Sequence, residues 1–191
     1  HVSSRRQRQM CIRDRNKVTP KRIFIDMDGV LVDFLAGVSD MLGRPLTSDD
    51  YGHSEYDERK EELTNKRLFA KLPPMVDYHE LIGYVKHTGL PWEILTAAGA
   101  INRNIVVYDK NEWIKQYVDP YVVVTCTYSG TQKAVFAQKG NVLIDDRPKN
   151  IKAWEDAGGI GILHKSAKHT IEELKKLRSP LKLVKGEFKN V

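Results

Sequence analysis

Cysteine is scarce in this chain, with Cys11 and Cys126 alone among 191 residues. They form no CxxC pair and no metal-like spacing, so nothing points to a disulfide framework. Long apolar runs are missing as well. None reaches the 18 or so residues that cross a bilayer, and no signal-peptide pattern is visible. The expectation is a cytosolic protein with no membrane partner. Histidines at metal-ligand spacing are also absent. His53, His79, His87, His164 and His169 stand apart and are expected at the surface. No internal repeat or low-complexity tract occurs, which sets repeat architectures aside.

Charge of one sign is less abundant than the total implies. The formal net charge of +6 invites a nucleic-acid reading. However, residues 1–15 hold Arg5, Arg6, Arg8, Arg13 and Arg15 against Asp14 alone, and the rest of the chain carries 26 basic and 24 acidic residues. The chain opens on His1, and residues 2–15 resemble a translated adapter read-through. Residues 1–15 are therefore expected to be a non-native tail and are set aside from the fold. The rival reading is a basic nucleic-acid-binding arm. With a surplus of two elsewhere, nucleic acid is not an expected partner.

What is present is an alternation of short apolar runs and helical patterns. Strands are expected at 22–26, 92–96, 121–125, 141–145 and 160–163, with helices at about 78–87, 103–117, 131–138, 148–157 and 168–178. Pro148 suits a first helical turn, and Gly158-Gly159 closes that helix. Such alternation predicts an α/β fold, a doubly wound parallel sheet with right-handed crossovers. Residues 34–74 break the pattern. A helical start over Phe34–Leu42, a polar stretch at 48–60, a second helical piece near 61–69 and Pro73-Pro74 are too long for a simple loop. They read as a small helical cap inserted after the first strand. The core is then 17–33 and 75–178, with a basic tail at 179–191.

The densest signal is Ile23-Phe24-Ile25-Asp26-Met27-Asp28-Gly29-Val30. Side chains alternate in an extended chain, so Asp26 and Asp28 share a face and Met27 takes the other. Two ionised carboxylates about 4 Å apart, at an effective dielectric near 20, repel by roughly 4 kcal/mol. Either a cation sits there or one acid is protonated. A calcium loop would need a ligand at its fifth position and Glu at its twelfth; Val30 and Gly37 stand there. Thr96 closes a second apolar run, Lys133 follows the third, and Asp145-Asp146 closes the fourth. Singly, each has a bland reading: a turn threonine, a solvated lysine, paired helix-capping acids. In open α/β sheets, however, ligands bind beyond the carboxyl ends of the strands, and all four features belong there.

In this order, DxDGV, the run ending in Thr, the Lys and the run ending in Asp-Asp resemble the haloacid dehalogenase (HAD) superfamily of phosphotransferases over about residues 21–165. The 26–34 stretch, Leu72-Pro73-Pro74, the Lys110-Asn111-Glu112-Trp113 spacing and the 143–148 stretch look more narrowly like the 5'(3')-deoxyribonucleotidase family. The resemblance implies a HAD-like Rossmannoid core and a Mg²⁺-dependent phosphatase of deoxynucleoside monophosphates. Asp26 would attack phosphorus and Asp28 would serve as acid–base. Mg²⁺ would sit on Asp26, the Asp28 backbone carbonyl and Asp146, with Asp145 behind. Lys133 and Thr96 would hold phosphoryl oxygens. Phe34 matches a substrate-facing family residue, and Lys110 matches a phosphate-site lysine after one extra residue is allowed.

Two departures stand out. Ala97 replaces a frequent Ser, and the cap lacks the aromatic-tryptophan cluster that grips a pyrimidine in some relatives. Tyr51, Tyr56, Phe69 and Trp113 are expected to be packing residues, and Asp33 a hinge or helix-start acid. The alternatives are a phosphatase of another small metabolite, a polynucleotide 3'-phosphatase, or a binding module that merely retains the fold. Oligomeric state is not legible, and a homodimer stays open.

Overall fold

Residue alternation along β1 (Arg22–Ile25) explains why the sheet is covered on both faces. Ile23 and Ile25 enter one apolar cluster with Ile94, Val142 and Ile144, whereas Phe24 enters a second with Leu95, Leu143 and Trp154. A strand buried on both sides belongs in the middle of a parallel sheet. The computed structural model, which describes residues 19–46 and 55–177, shows this sheet. It contains β1, β2 (Trp92–Ala97), β3 (Val124–Thr127), β4 (Asn141–Asp145) and β5 (Ile160–Leu163), all parallel, in the order β3-β2-β1-β4-β5. β1 pairs with both β2 and β4, so three motif-bearing strand ends lie side by side.

The insertion after β1 is helical, as expected. It holds α1 (Phe34–Leu42), α2 (Glu55–Asn65) and α3 (Leu68–Lys71). Asp33 starts α1, its side chain accepting from the Ala36 amide at 2.9 Å, and Gly43 ends the helix in the left-handed region. The two legs of the insertion pair with each other: the Asp33 amide donates to Pro73 O at 2.8 Å, and the Met75 amide to Leu31 O at 2.9 Å. The remaining helices are α4 (Tyr78–His87), α5 (Arg103–Tyr117), α6 (Pro148–Asp156) and α7 (Ala167–Leu177). α4, α5 and α7 feed the larger cluster, and α6 feeds the smaller one through Ile151 and Trp154.

Four expectations need correction. The third strand starts at Val124 and not at 121, because the Asp119 carboxylate accepts from the Tyr121 amide at 2.9 Å and holds that stretch in a turn. Tyr121 and Val123 are consequently exposed despite their strand-like character. The helix expected at 131–138 is a 3-10 helix over Gly130–Phe136. It belongs to a crossover that passes β2 and β1, and 3-10 winding covers about 2.0 Å per residue against about 1.5 Å in an α-helix. The piece expected near 61–69 is two helices, broken where Arg67 adopts φ +63°. Finally, His164 is not a surface residue: it is buried, with Nδ1 2.8 Å from Thr170 Oγ1. The tails at 1–15 and 179–191, Cys11, Tyr51, His53 and the Tyr56 side chain lie outside the described residues. No helix among those described is long and apolar enough to cross a membrane.

Candidate active site

The loop after β1 is wound tightly enough to present two acids to one side. Met27 O accepts from the amides of Val30, Leu31 and Val32, and Gly29 turns the chain at φ +74°. Met27 is fully buried in the core, whereas Asp26 and Asp28 both line a cavity of about 420 Å³. Phe34, Lys60 and Phe69 from the helical region line it from the other side. The loop after β2, the 3-10 helix after β3 and the start of α6 complete it through Ala98 and Gly99, Gly130 and Lys133, and Asn150.

Lys133 is the charge at the centre. Its Nζ lies 2.7 Å from Asp26 Oδ2 and 2.6 Å from Asp145 Oδ2, and the side chain is almost fully buried. Burial alone lowers the basicity of an ammonium; the two carboxylates outweigh it, and Lys133 ends above its usual range. Burial likewise pushes Asp26 up, yet Lys133 and Lys110 outweigh it and hold the carboxyl below its usual range. Asp26 Oδ1 also accepts from the Met27 amide at 2.8 Å. A depressed, ionised carboxylate at the cavity wall is a competent nucleophile.

The two acids at the end of β4 have opposite surroundings. Asp145 is saturated: besides Lys133 it accepts from the Arg147 amide at 2.9 Å and from Asn150 Nδ2 at 3.0 and 3.1 Å. Asp146 Oδ1 is buried with no hydrogen-bond partner. Burial and then Asp26 push Asp145 up to about 6; burial, Asp26 and Asp145 push Asp146 up to about 7. Among the described residues, Asp26, Asp145 and Asp146 bring ligand oxygens within 4.8 Å of one another. A Cβ on Gly29 would stand 2.3 Å from Asp146 Oδ2, so only glycine lets the two loops meet. An orphaned oxygen, clustered acids and a glycine-sized approach suit a hard divalent cation with oxygen ligands.

A family described as "5' nucleotidase, deoxy (Pyrimidine), cytosolic type C protein" matches residues 20–179. The chain belongs to this family. Two Staphylococcus epidermidis strains carry relatives named "Putative 5'(3')-deoxyribonucleotidase", each 27% identical to this chain. One alignment covers 82% of this chain and 88% of the relative, the other 72% and 80%. The fold also matches a HAD-superfamily hydrolase, subfamily IA, of Geobacter sulfurreducens, at TM-score 0.50 and 14% identity, covering 85% of this chain and 98% of that one. The nucleotidase family carries the expected enzyme class, a phosphoric monoester hydrolase with a HAD-like core.

The structure brings the nucleotidase motif residues together, with differences in their placement. Asp26, Asp28, Lys133 and Phe34 line the cavity. Thr96 and Lys110 are fully buried outside its lining, and Lys110 Nζ donates to Asp28 Oδ2 at 2.6 Å and to Thr96 Oγ1 at 2.9 Å. Phe69, expected only to pack, is buried and also forms cavity wall, its ring centroid 6.2 Å from that of Phe34. Trp113 packs as expected, donating Nε1–H to Leu72 O at 2.8 Å.

Sequence reasoning missed Asn150, which holds Asp145. The available signal was a polar residue on the buried stripe of α6, beside Ile151 and Trp154. It also missed Arg103, whose guanidinium donates to the carbonyls of Gly99, Cys126 and Thr127 and lies 4.0 Å from the Tyr128 ring centroid. Nothing local in the sequence marks that clamp, because its partners sit on the loop after β2 and at the end of β3.

Proposed function

We propose that this protein is a Mg²⁺-dependent phosphatase of deoxynucleoside monophosphates that works through an aspartyl-phosphate. The observation that carries the reading is a lysine-paired Asp26 on the cavity wall whose ligand oxygen lies within 4.8 Å of that of Asp146, a residue with one buried oxygen, Oδ1, that lacks a partner among the described residues, in a chain of the nucleotidase family. Asp26 Oδ attacks phosphorus, and Asp28 protonates the departing nucleoside oxygen and later takes a proton from water. Lys133 holds a phosphoryl oxygen as well as the nucleophile, and the Thr96 hydroxyl supplies a second donor. Asp26, the Asp28 carbonyl and Asp146 would hold Mg²⁺, which when bound offsets phosphate charge. The saturation of Asp145 by Lys133, Asn150 and the Arg147 amide supports its standing behind the ligands and not among them. Residues 34–74 act as a cap, with Phe34 and Phe69 facing the substrate and water excluded when it is shut.

A cavity of about 420 Å³ falls within the range of small-ligand sites, which favours a mononucleotide over a polynucleotide. The test is phosphate release with Mg²⁺ from dUMP, dTMP, ribonucleotides, sugar phosphates and 3'-phosphorylated oligonucleotides. Deoxynucleoside monophosphates should be the best substrates. A preference for sugar phosphates or oligonucleotides would replace the reading with one of its alternatives. Asp26→Asn should abolish turnover, and Asp28→Asn should leave slow phosphorylation; full activity in Asp26→Asn would remove the nucleophile.

A further inference from the structure

Among the described residues, three aromatic rings line the cavity, and they offer very different amounts of surface. Phe34 and Phe69 are 8% and 5% exposed and pack on each other. Tyr128, which directly follows β3, is 59% exposed. One face of its ring is already taken. The Arg103 guanidinium carbon lies 4.0 Å from the ring centroid, too near for an approach along the edge, so the cation covers a face. The exposed surface is therefore the opposite face and the rim. The residue is also held before any ligand arrives. The Tyr128 amide donates to Gln132 Oε1 at 3.0 Å, and the Thr127 hydroxyl donates to Ser129 O at 2.8 Å. Arg103 is fixed in turn by the carbonyls of Gly99, Cys126 and Thr127. We propose that Tyr128, backed by Arg103, is the platform on which the substrate's nucleobase stacks, and a specificity-determining residue of the site. The proposal rests on the phosphatase reading above.

Stacking sets what such a platform can read. Every base presents a π-face, so a single ring separates a phosphoester that carries a base from one that does not, and distinguishes bases weakly. A ring fixed in advance loses little freedom when a second ring settles on it, which leaves more of the contact as affinity. Tyr128 also lies on the same stretch of chain as Lys133, whose ammonium pairs with Asp26 at the phosphoryl end of the cavity. The two ends of a mononucleotide, base and phosphate, are then gripped from one strand end of the core. Residues 34–74 contain no tryptophan, and with the platform beyond β3 they need none to hold the base. Phe34 and Phe69, with little ring surface free, bound the cavity without offering a second platform.

Comparing substrates with and without a base tests this on the whole chain with Mg²⁺. dUMP and dGMP each carry a ring, whereas 2-deoxyribose 5-phosphate has the same kind of phosphoester and none. Tyr128→Ala should raise KM for dUMP and dGMP by about tenfold each. It should leave kcat on both, and KM for 2-deoxyribose 5-phosphate, unchanged, because stacking holds ground state and transition state alike. The retained reaction of the baseless ester shows that the variant is folded. Tyr128→Phe keeps the ring face and should match the wild type. An equal rise in KM on all three substrates, or none on the nucleotides, would overturn the platform. So would a loss in Tyr128→Phe as large as in Tyr128→Ala, which would assign the contact to the hydroxyl. The phosphatase reading fails separately, in the wild type: hydrolysis of none of the three esters, or a preference for the baseless one, overturns that reading and this inference with it.

Discussion

At the scale of single residues, the two acids at the end of β4 show how identical side chains acquire different jobs. Asp145 is bound by Lys133, the Arg147 amide and Asn150, while one oxygen of Asp146 has nothing. Asn150 is itself fixed by neighbours: a Cβ on Gly130 would stand 2.3 Å from its Oδ1, so the start of the 3-10 helix after β3 lies directly on it. Removing Asn150 leaves a buried carboxylate short of two hydrogen bonds and lets the strand end shift. Outer partners of metal ligands typically contribute 10- to 100-fold. We therefore expect Asn150→Ala to raise the Mg²⁺ concentration for half-maximal activity by about tenfold, together with a stability loss of about 1–3 kcal/mol from the unsatisfied carboxylate. An unaltered Mg²⁺ titration would show that Asn150 is only a packing residue. The convergence of Asp26, Asp28, Thr96, Lys133 and Asp145-Asp146 was legible in the sequence, because each stands at or beyond the carboxyl end of a strand. Asn150 and Arg103 were not. Their partners come from other elements, and a hydrogen bond to a carbonyl or a neighbour's carboxylate leaves no spacing rule in the chain.

At the scale of elements, five strands and the helices at Tyr78–His87, Arg103–Tyr117 and Pro148–Asp156 were legible because their periodicity and end signals agree. Failures came where side chain or topology overrode pattern. The Asp119 turn took the first half of an apolar β-branched run, and the crossover to β4 took the 3-10 form. The helical insertion was legible as an interruption, but its docking was not. It is held to α5 by Arg67 on buried Asp109, by Phe69 over Lys110 and by Trp113 Nε1 on Leu72 O. Leu72 directly precedes the leg that pairs with residue 33, so the Trp113 bond fastens the insertion at its exit. Trp113→Phe keeps a ring and removes this donor, leaving a buried carbonyl unsatisfied. A loss of about 1–3 kcal/mol is expected, read from urea unfolding at unchanged slope. If the midpoint does not move, the bond is not a fastening.

At the scale of the whole molecule, charge is concentrated at the site, where four carboxylates outnumber two buried lysines, and a further buried titratable group, His164, stands just after β5. Its amide donates to the Asp145 carbonyl at 2.9 Å, joining β5 to β4, and its ring meets Thr170 on α7. Burial lowers its basicity below the ordinary 6.5; Asp77 opposes that shift, and His169 adds to it. The sign of the pH dependence follows from proton uptake. Above about pH 6.5 His164 is neutral in both folded and unfolded chains and contributes no pH dependence. Below that value the unfolded chain binds a proton that the folded chain resists, so stability falls as pH drops toward the depressed folded value. Asp145, at about 6, and Asp146, at about 7, titrate over the same range, so the comparison is made against a variant that cannot titrate at position 164. Between pH 7.5 and 5.5 the wild type should lose more of its thermal midpoint than His164→Gln does. The amide side chain keeps a polar partner for Thr170, so the difference between the two curves isolates the imidazole. Parallel curves over that range would place the acid sensitivity elsewhere, in the acids around Lys133.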